Sequence, residues 1–118
     1  MAAISTALGK AGVNIDSISS ESFGEGAVTR IVTKDARSAK EALERAGLKV
    51  SEDNLLIVAM LDRPGELGKV ATLLAQAKVN IESIFVLSKK NNETVIAFHV
   101  DRENAARDAL ASYLRDNY

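Results

Sequence analysis

The sequence predicts an α+β fold built from two split βαβ units, and three observations carry that reading. The octapeptide A-G-V-N-I-D-S-I at residues 11–18 returns as A-K-V-N-I-E-S-I at residues 77–84, identical at six of eight positions. Each copy follows apolar residues at helical spacing and precedes two β-rich runs around a polar turn, then a second helical face. Between the copies stands a continuous apolar run, Leu55 to Leu61, of the kind found in strands buried on both faces.

The match reaches beyond the octapeptide. With Val79 set on Val13, an offset of 66 residues, Leu74 falls on Leu8, Ala77 on Ala11 and Ser88 on Ser22. Ala109-Leu110 falls on Ala42-Leu43 one residue later, so the second copy carries an extra residue, assigned to its hairpin. Leu67, Val70, Ala71, Leu74 and Ala77 form one helical face in copy two, and Ile4, Leu8 and Ala11 form its equivalent in copy one. These helices are expected to stop near Gly12 and near Lys78, a basic residue suited to a helix end. Ile81 to Leu87 and Thr94 to Val100 read as strands around the turn Lys89-Lys90-Asn91-Asn92, with Ile96, Phe98 and Val100 on one face. Gly24-Glu25-Gly26 is the corresponding hairpin of copy one.

A second helix closes each copy, through Ala39, Ala42, Leu43 and Ala46 in the first and Ala106, Ala109, Leu110, Tyr113 and Leu114 in the second. Asp35 or Ser38, and Asp101, are the expected starts. Leu55 to Leu61 supplies a first strand, and Gly47-Leu48-Lys49-Val50 looks like the start of a closing one. The unit is therefore βαββαβ, a ferredoxin-like arrangement with both helices on one face of an antiparallel sheet. The first repeat spans 1–53 and the second 54–118.

The copies are unequal. Met1 aligns with Leu67, so copy one has no counterpart of Leu55 to Gly65, its first strand and following loop. Copy two leaves little room before Tyr118 for a closing strand. Unpaired buried backbone groups cost about 1–3 kcal/mol each, so the first strand of copy one needs a substitute. A truncated chain start, a strand lent by another copy, or a strand shared by both halves would each answer this; the first two are favoured.

Composition narrows the function. Of 118 residues, 47% are hydrophobic and 26% charged, the balance of a globular chain. Fifteen basic and sixteen acidic residues leave a net charge of −1, without the positive field of a nucleic-acid binder. There is no cysteine and one histidine, which removes thiolate metal sites, disulfides and thiol catalysis. No apolar run approaches the ~18 residues of a membrane span, and Met1 to Val13 lacks a signal-peptide pattern, so the expected location is cytoplasmic. Gly24-Glu25-Gly26 lacks the rest of a phosphate-binding fingerprint. Ser17, Ser19, Ser20 and Ser22 have no basic partner in view, His99 stands alone as a surface or interface residue, and no acidic pair is positioned for proton transfer. No catalytic residue, metal site or cofactor is expected.

L-D-R-P-G-E-L-G-K-V-A-T-L-L-A-Q-A-K-V-N-I-E-S-I resembles the first strand end, loop and helix of an ACT domain, a small amino-acid-binding regulatory module. D-A-R-S-A-K-E-A-L-E-R-A-G resembles that family's second helix, and the order of the copies is similar to stand-alone tandem ACT proteins. The resemblance spans nearly the whole chain. It rests on the Pro-Gly loop with V-N-I following it; either piece alone is weak.

The Pro-Gly loop has its own physical case. Pro64 fixes φ where the chain turns toward a helix, and Gly65 lets a ligand approach the backbone. The first N–H groups of a helix lack internal partners and attract an anion such as a carboxylate. Asp62 and Glu66 are nearby acceptors for an ammonium group. Equally, a Pro-Gly pair can simply stop a strand and start a helix. Asn14 and Asn80 each end a helix-to-strand connection, where Asn is common for conformational reasons, while an amide also offers donor and acceptor to a zwitterion. The resemblance implies a ligand between modules, held by Met60, Asp62, Arg63, Pro64, Gly65, Glu66 and Leu67 with Asn14 and Ile15, or Asn80 and Ile81, opposite; Asn14 against 62–65 is the first pair expected.

The function expected is thus non-enzymatic regulation by an amino acid or similar small metabolite. The chain would form a homodimer or higher homo-oligomer and act on a partner enzyme, with neither nucleic acid nor membrane as partner. A regulatory subunit of an amino-acid biosynthetic enzyme such as acetolactate synthase, and a ligand-free interaction scaffold, are the alternatives.

Overall fold

The computed structural model describes residues 1–116. It forms two compact units, Met1–Glu52 and the remainder from Asp53. The expected end of the second repeat, Tyr118, lies outside the described residues.

The first unit runs α1 (Ala2–Lys10), β1 (Ser17–Phe23), β2 (Gly26–Val32) and α2 (Ala36–Arg45). Leu8, Val13, Ala39 and Leu43 are buried together, with Ile4, Ala7, Ile15, Ile31 and Val50 packed around them. Ala11 and Ala46, expected on the helical faces, are exposed because each helix ends just before or at them. Gly12 at φ 72° closes α1: it allows the Val13 N–H to reach back to the Leu8 carbonyl at 2.9 Å. Strands β1 and β2 pair antiparallel from Ser17↔Val32 to Phe23↔Gly26. Gly24 at φ 59° makes the tight two-residue turn between them. Asp35 caps α2 by accepting from the Ser38 N–H at 3.2 Å.

Gly47 to Val50 is not a strand, contrary to expectation. A closing strand of this fold pairs with the first strand, and the sheet of this unit comprises β1 and β2 among the described residues. The Leu48 N–H instead returns to the Leu43 carbonyl at 3.1 Å, and Val50 packs on the unit's core.

The second unit runs β3 (Leu56–Leu61), α3 (Glu66–Gln76), β4 (Ile81–Lys90), β5 (Glu93–Val100), α4 (Glu103–Ala109) and β6 (Leu114–Arg115). Its sheet has the order β4-β5-β3-β6, with every neighbouring pair antiparallel. The first strand in sequence is therefore central, as the split βαβ plan requires. Leu56, Val58 and Met60 of β3 are buried with Ile96, Phe98 and Val100 of β5. Val70 and Leu74 of α3, and Ala106 of α4 with Leu110 just beyond it, complete that core. The alternate β3 residues Ile57 and Ala59 are only half-buried, so this strand is less enclosed than its apolar run suggests.

Four details differ from the sequence reading. Strand β4 continues through Lys90, and the turn is Asn91-Asn92 alone, with φ 55° and 60°. Two left-handed residues match the sheet's twist, and Asn tolerates that conformation. Asp101 does not cap α4: its carboxylate accepts from the Asn80 N–H at 2.8 Å, and Arg102 takes the cap position. Helix α4 stops at Ala109, so Tyr113 and Leu114 are not on it. A closing strand exists after all, two residues long, with Val58↔Leu114 and Ile57↔Arg115.

Candidate functional site

Strand β3 delivers the chain from the middle of the sheet to the loop at Asp62. There the Asp62 N–H donates to the Asn92 carbonyl at 2.8 Å, tying the loop to the β4–β5 turn. Pro64 and Gly65 form the centre of a type II turn: Gly65 has φ 88° and ψ −12°, and the Glu66 N–H points to the Arg63 carbonyl at 3.4 Å. Proline supplies the fixed φ at the first central position and glycine the positive φ at the second. Gly65 is also the N-cap of α3, and its carbonyl accepts from the Lys69 N–H at 3.1 Å. Between them, the Leu67 and Gly68 N–H groups have no acceptor among the described residues. These are two of the donors that the start of a helix leaves without an internal acceptor, at its partly positive end.

The charges around this turn are ordered. Glu66 is 6% exposed, on the same face of α3 as Val70 and Leu74. Its carboxylate accepts from Arg63 Nε and lies 3.5 Å from Lys69 Nζ. The Arg63 hydrogen bond, with Lys69 behind it, holds the Glu66 carboxyl below its ordinary value against the opposing effect of burial. Asp62 is exposed, 3.7 Å from Lys89 Nζ. The loop thus presents a carboxylate at Asp62 and open N–H groups at Leu67 and Gly68.

The sequence-predicted residues fall into distinct places. Asp62, Arg63, Pro64 and Gly65 are exposed around the turn. Glu66 is there too, largely buried, with its Oε1 engaged by Arg63 and Lys69. Met60 is 5% exposed, within the core of the second unit. Leu67, placed by periodicity on the buried face, is 43% exposed beside the open amides.

Asn80 lies where α3 gives way to β4; its N–H and carbonyl bond the Asp101 carboxylate and N–H, while its amide group has no protein partner among the described residues. Ile81 begins β4 half-buried. In the first unit the Asn14 carbonyl likewise accepts from the Thr33 hydroxyl at 2.9 Å, its side chain is exposed, and Ile15 packs on that unit's core. Both asparagines therefore use the backbone to lock a connection and leave the amide to solvent.

Gly68 is the site residue the sequence reading missed. The signal was present: three residues past the turn's second central position, its N–H falls among the first helix donors, which lack an intrahelical acceptor. The buried setting of Glu66 was legible too, since it precedes Val70 and Leu74 at steps of four.

Elsewhere, His99 Nε2 lies 3.8 Å from Asp53 Oδ1, and the Ser20 and Thr29 hydroxyls bond each other at 3.1 Å. Among the described residues no group of three His, Cys, Asp or Glu side chains is placed to hold a metal, and no helix is long and apolar enough to cross a membrane.

Comparison with known proteins places this geometry. The model of the ACT domain family matches residues 1–46 and 54–111. No curated protein matches the chain. Among solved structures, protein BT0572 from Bacteroides thetaiotaomicron is similar over 95% of this chain and 79% of its own, with 19% identity and a TM-score of 0.85. The regulatory subunit of aspartate kinase from Thermus thermophilus, in its ligand-free form, is similar over 95% of this chain and 81% of its own, with 21% identity and a TM-score of 0.61. Aspartate kinase from Clostridium acetobutylicum is similar over 93% of this chain and 28% of its own, with 21% identity and a TM-score of 0.53. At these identities the structures support the fold, and the family match spans both repeats: the chain belongs to the ACT domain family.

Proposed function

We propose that this protein is a non-enzymatic regulatory module that binds an amino acid at the Pro-Gly loop. The observation that carries the proposal is the pair of amides without an acceptor among the described residues, Leu67 and Gly68 N–H, on the same loop and helix start as the exposed Asp62 carboxylate. An amino acid carries a carboxylate and an ammonium on adjoining atoms, and this loop offers a matched partner for each. The amide of a V-N-I asparagine from a neighbouring ACT module, Asn14 or Asn80, would complete the site with one donor and one acceptor. Two solved structures of similar fold are an aspartate kinase and an aspartate kinase regulatory subunit. They support a role in which the ligand signal passes to an amino-acid biosynthetic enzyme, by stabilising the arrangement that holds modules together.

The test is a thermal-unfolding screen against the twenty amino acids, followed by calorimetric titration of any that stabilise. A true ligand at about one hundred times its Kd adds about 2.7 kcal/mol, a rise in Tm on the order of 10 °C. Gly65→Val strains the turn at φ 88° and should abolish that rise. Stabilisation by no amino acid favours a ligand-free scaffold. Stable co-purification with one large enzyme identifies a dedicated regulatory subunit.

A further inference from the structure

Glu66 is a charged side chain buried at the start of α3, 6% exposed, and two cations share its carboxylate. Arg63 donates to Glu66 Oε1 through Nε, and Lys69 Nζ lies 3.5 Å from the same oxygen. The Arg63 side chain is nonetheless 58% exposed, and no described residue other than Glu66 accepts from it. A guanidinium is a rigid planar fork. Taken at Nε, it keeps the edge formed by its two Nη groups, which fits the two oxygens of a second carboxylate side by side. Buried Glu66 thus anchors an arginine that stands immediately before the Pro64-Gly65 turn and remains open to solvent.

The ion pairs of the loop do not cancel. Asp62 stands 3.7 Å from Lys89 Nζ, one charge of each sign. Glu66 sets a single negative charge against the two positive charges of Arg63 and Lys69. One cation is left over. An amino acid with a neutral side chain carries no net charge and leaves that surplus in place, whereas one with a second carboxylate cancels it. We infer, on the reading that the Pro-Gly loop binds an amino acid, that its ligands are the dicarboxylic amino acids, with the side-chain carboxylate taken by the Nη edge of Arg63. Arg63 is then the residue that sets specificity, and Glu66 the positioning residue that holds its guanidinium. Asparagine and glutamine have nearly the shape of the two acids without the charge, so they separate this contact from mere fit.

Calorimetric titration of the native chain with aspartate, glutamate, asparagine and glutamine tests this, with far-UV circular dichroism as the folding control for the variants. Aspartate or glutamate should bind roughly tenfold or more tightly than its own amide, the effect of a bidentate charged pair. Arg63→Gln should bring acid and amide within about twofold of each other, by weakening the acid alone. Arg63→Lys keeps the charge but not the fork, and should recover only part of the preference. Glu66→Ala should lower the acid-to-amide ratio without weakening the amide, a change that a purely structural role would not produce. Glu66→Gln still offers Nε an acceptor and should keep the ratio. Should Glu66→Ala unfold, the native chain and the two Arg63 variants decide the matter. Amides that bind as tightly as their acids, or an acid preference that survives Arg63→Gln, overturn this inference and leave the loop reading standing. So does a native chain that binds a different amino acid and none of these four. Binding of none of the twenty overturns both.

Discussion

Glu66 occupies a place on α3 where the helical pattern asks for an apolar side chain. What makes a carboxylate acceptable there is its capture by Arg63 and Lys69, one turn before and after it. Because the folded protein holds this group below its ordinary value near 4.5, it binds fewer protons than the unfolded chain at mildly acidic pH. Its contribution is therefore complete above that value and disappears as pH falls through the lower folded value. Urea midpoints followed from neutral to acidic pH should decline for the native chain below about 4.5, and Glu66→Gln should start lower and decline less. Lys78 makes the second residue-scale case. It closes α3 at φ 60°, whereas Gly12 closes α1 at φ 72° in the matching position. A lysine held left-handed is strained and a glycine is not, although glycine costs more chain entropy. Lys78→Gly should raise stability by about 0.5–1 kcal/mol and Gly12→Ala should lower it by about 1 kcal/mol, both measured by denaturant unfolding. The space around Gly12 is open, so the second loss would come from backbone strain alone.

The closing strand β6 shows how little chain can finish a sheet. Two residues pair with β3, the Tyr113 carbonyl accepts from the Ala59 N–H at 2.9 Å, and Arg115 reaches across to Glu93 on β5. Arg115→Ala should cost no more than about 1 kcal/mol globally, because the ion pair is partly exposed. The same change should speed hydrogen exchange at the Ala59 amide well beyond that at amides of the β3–β5 ladder. Elements of this kind mark the limit of legibility in the sequence. The helices, the hairpins and the central β3 were readable, because repeated apolar spacing and a duplicated V-N-I connection fix them locally. Leu114 fits a helical face, since an i, i+4 step from Leu110 looks the same whether or not the helix has ended. Only pairing with Val58, distant in sequence, makes it a strand. Asp101 misleads for the same reason: it has the chemistry of a cap, but the Asn80 N–H, distant in sequence, takes its carboxylate. The Pro-Gly loop was legible as a turn; the commitment of Glu66 to Arg63, and the burial of Met60, were settled by packing that no local pattern reports.

At the scale of the whole chain, the two units share a plan and differ in what secures it. The first has a two-stranded sheet over a core around Leu8, Val13, Ala39 and Leu43, while the second closes four strands over a larger apolar cluster. Stability follows buried apolar area, so native-state hydrogen exchange should show amides of β1 and β2 opening at lower free energy than those of β3 and β5.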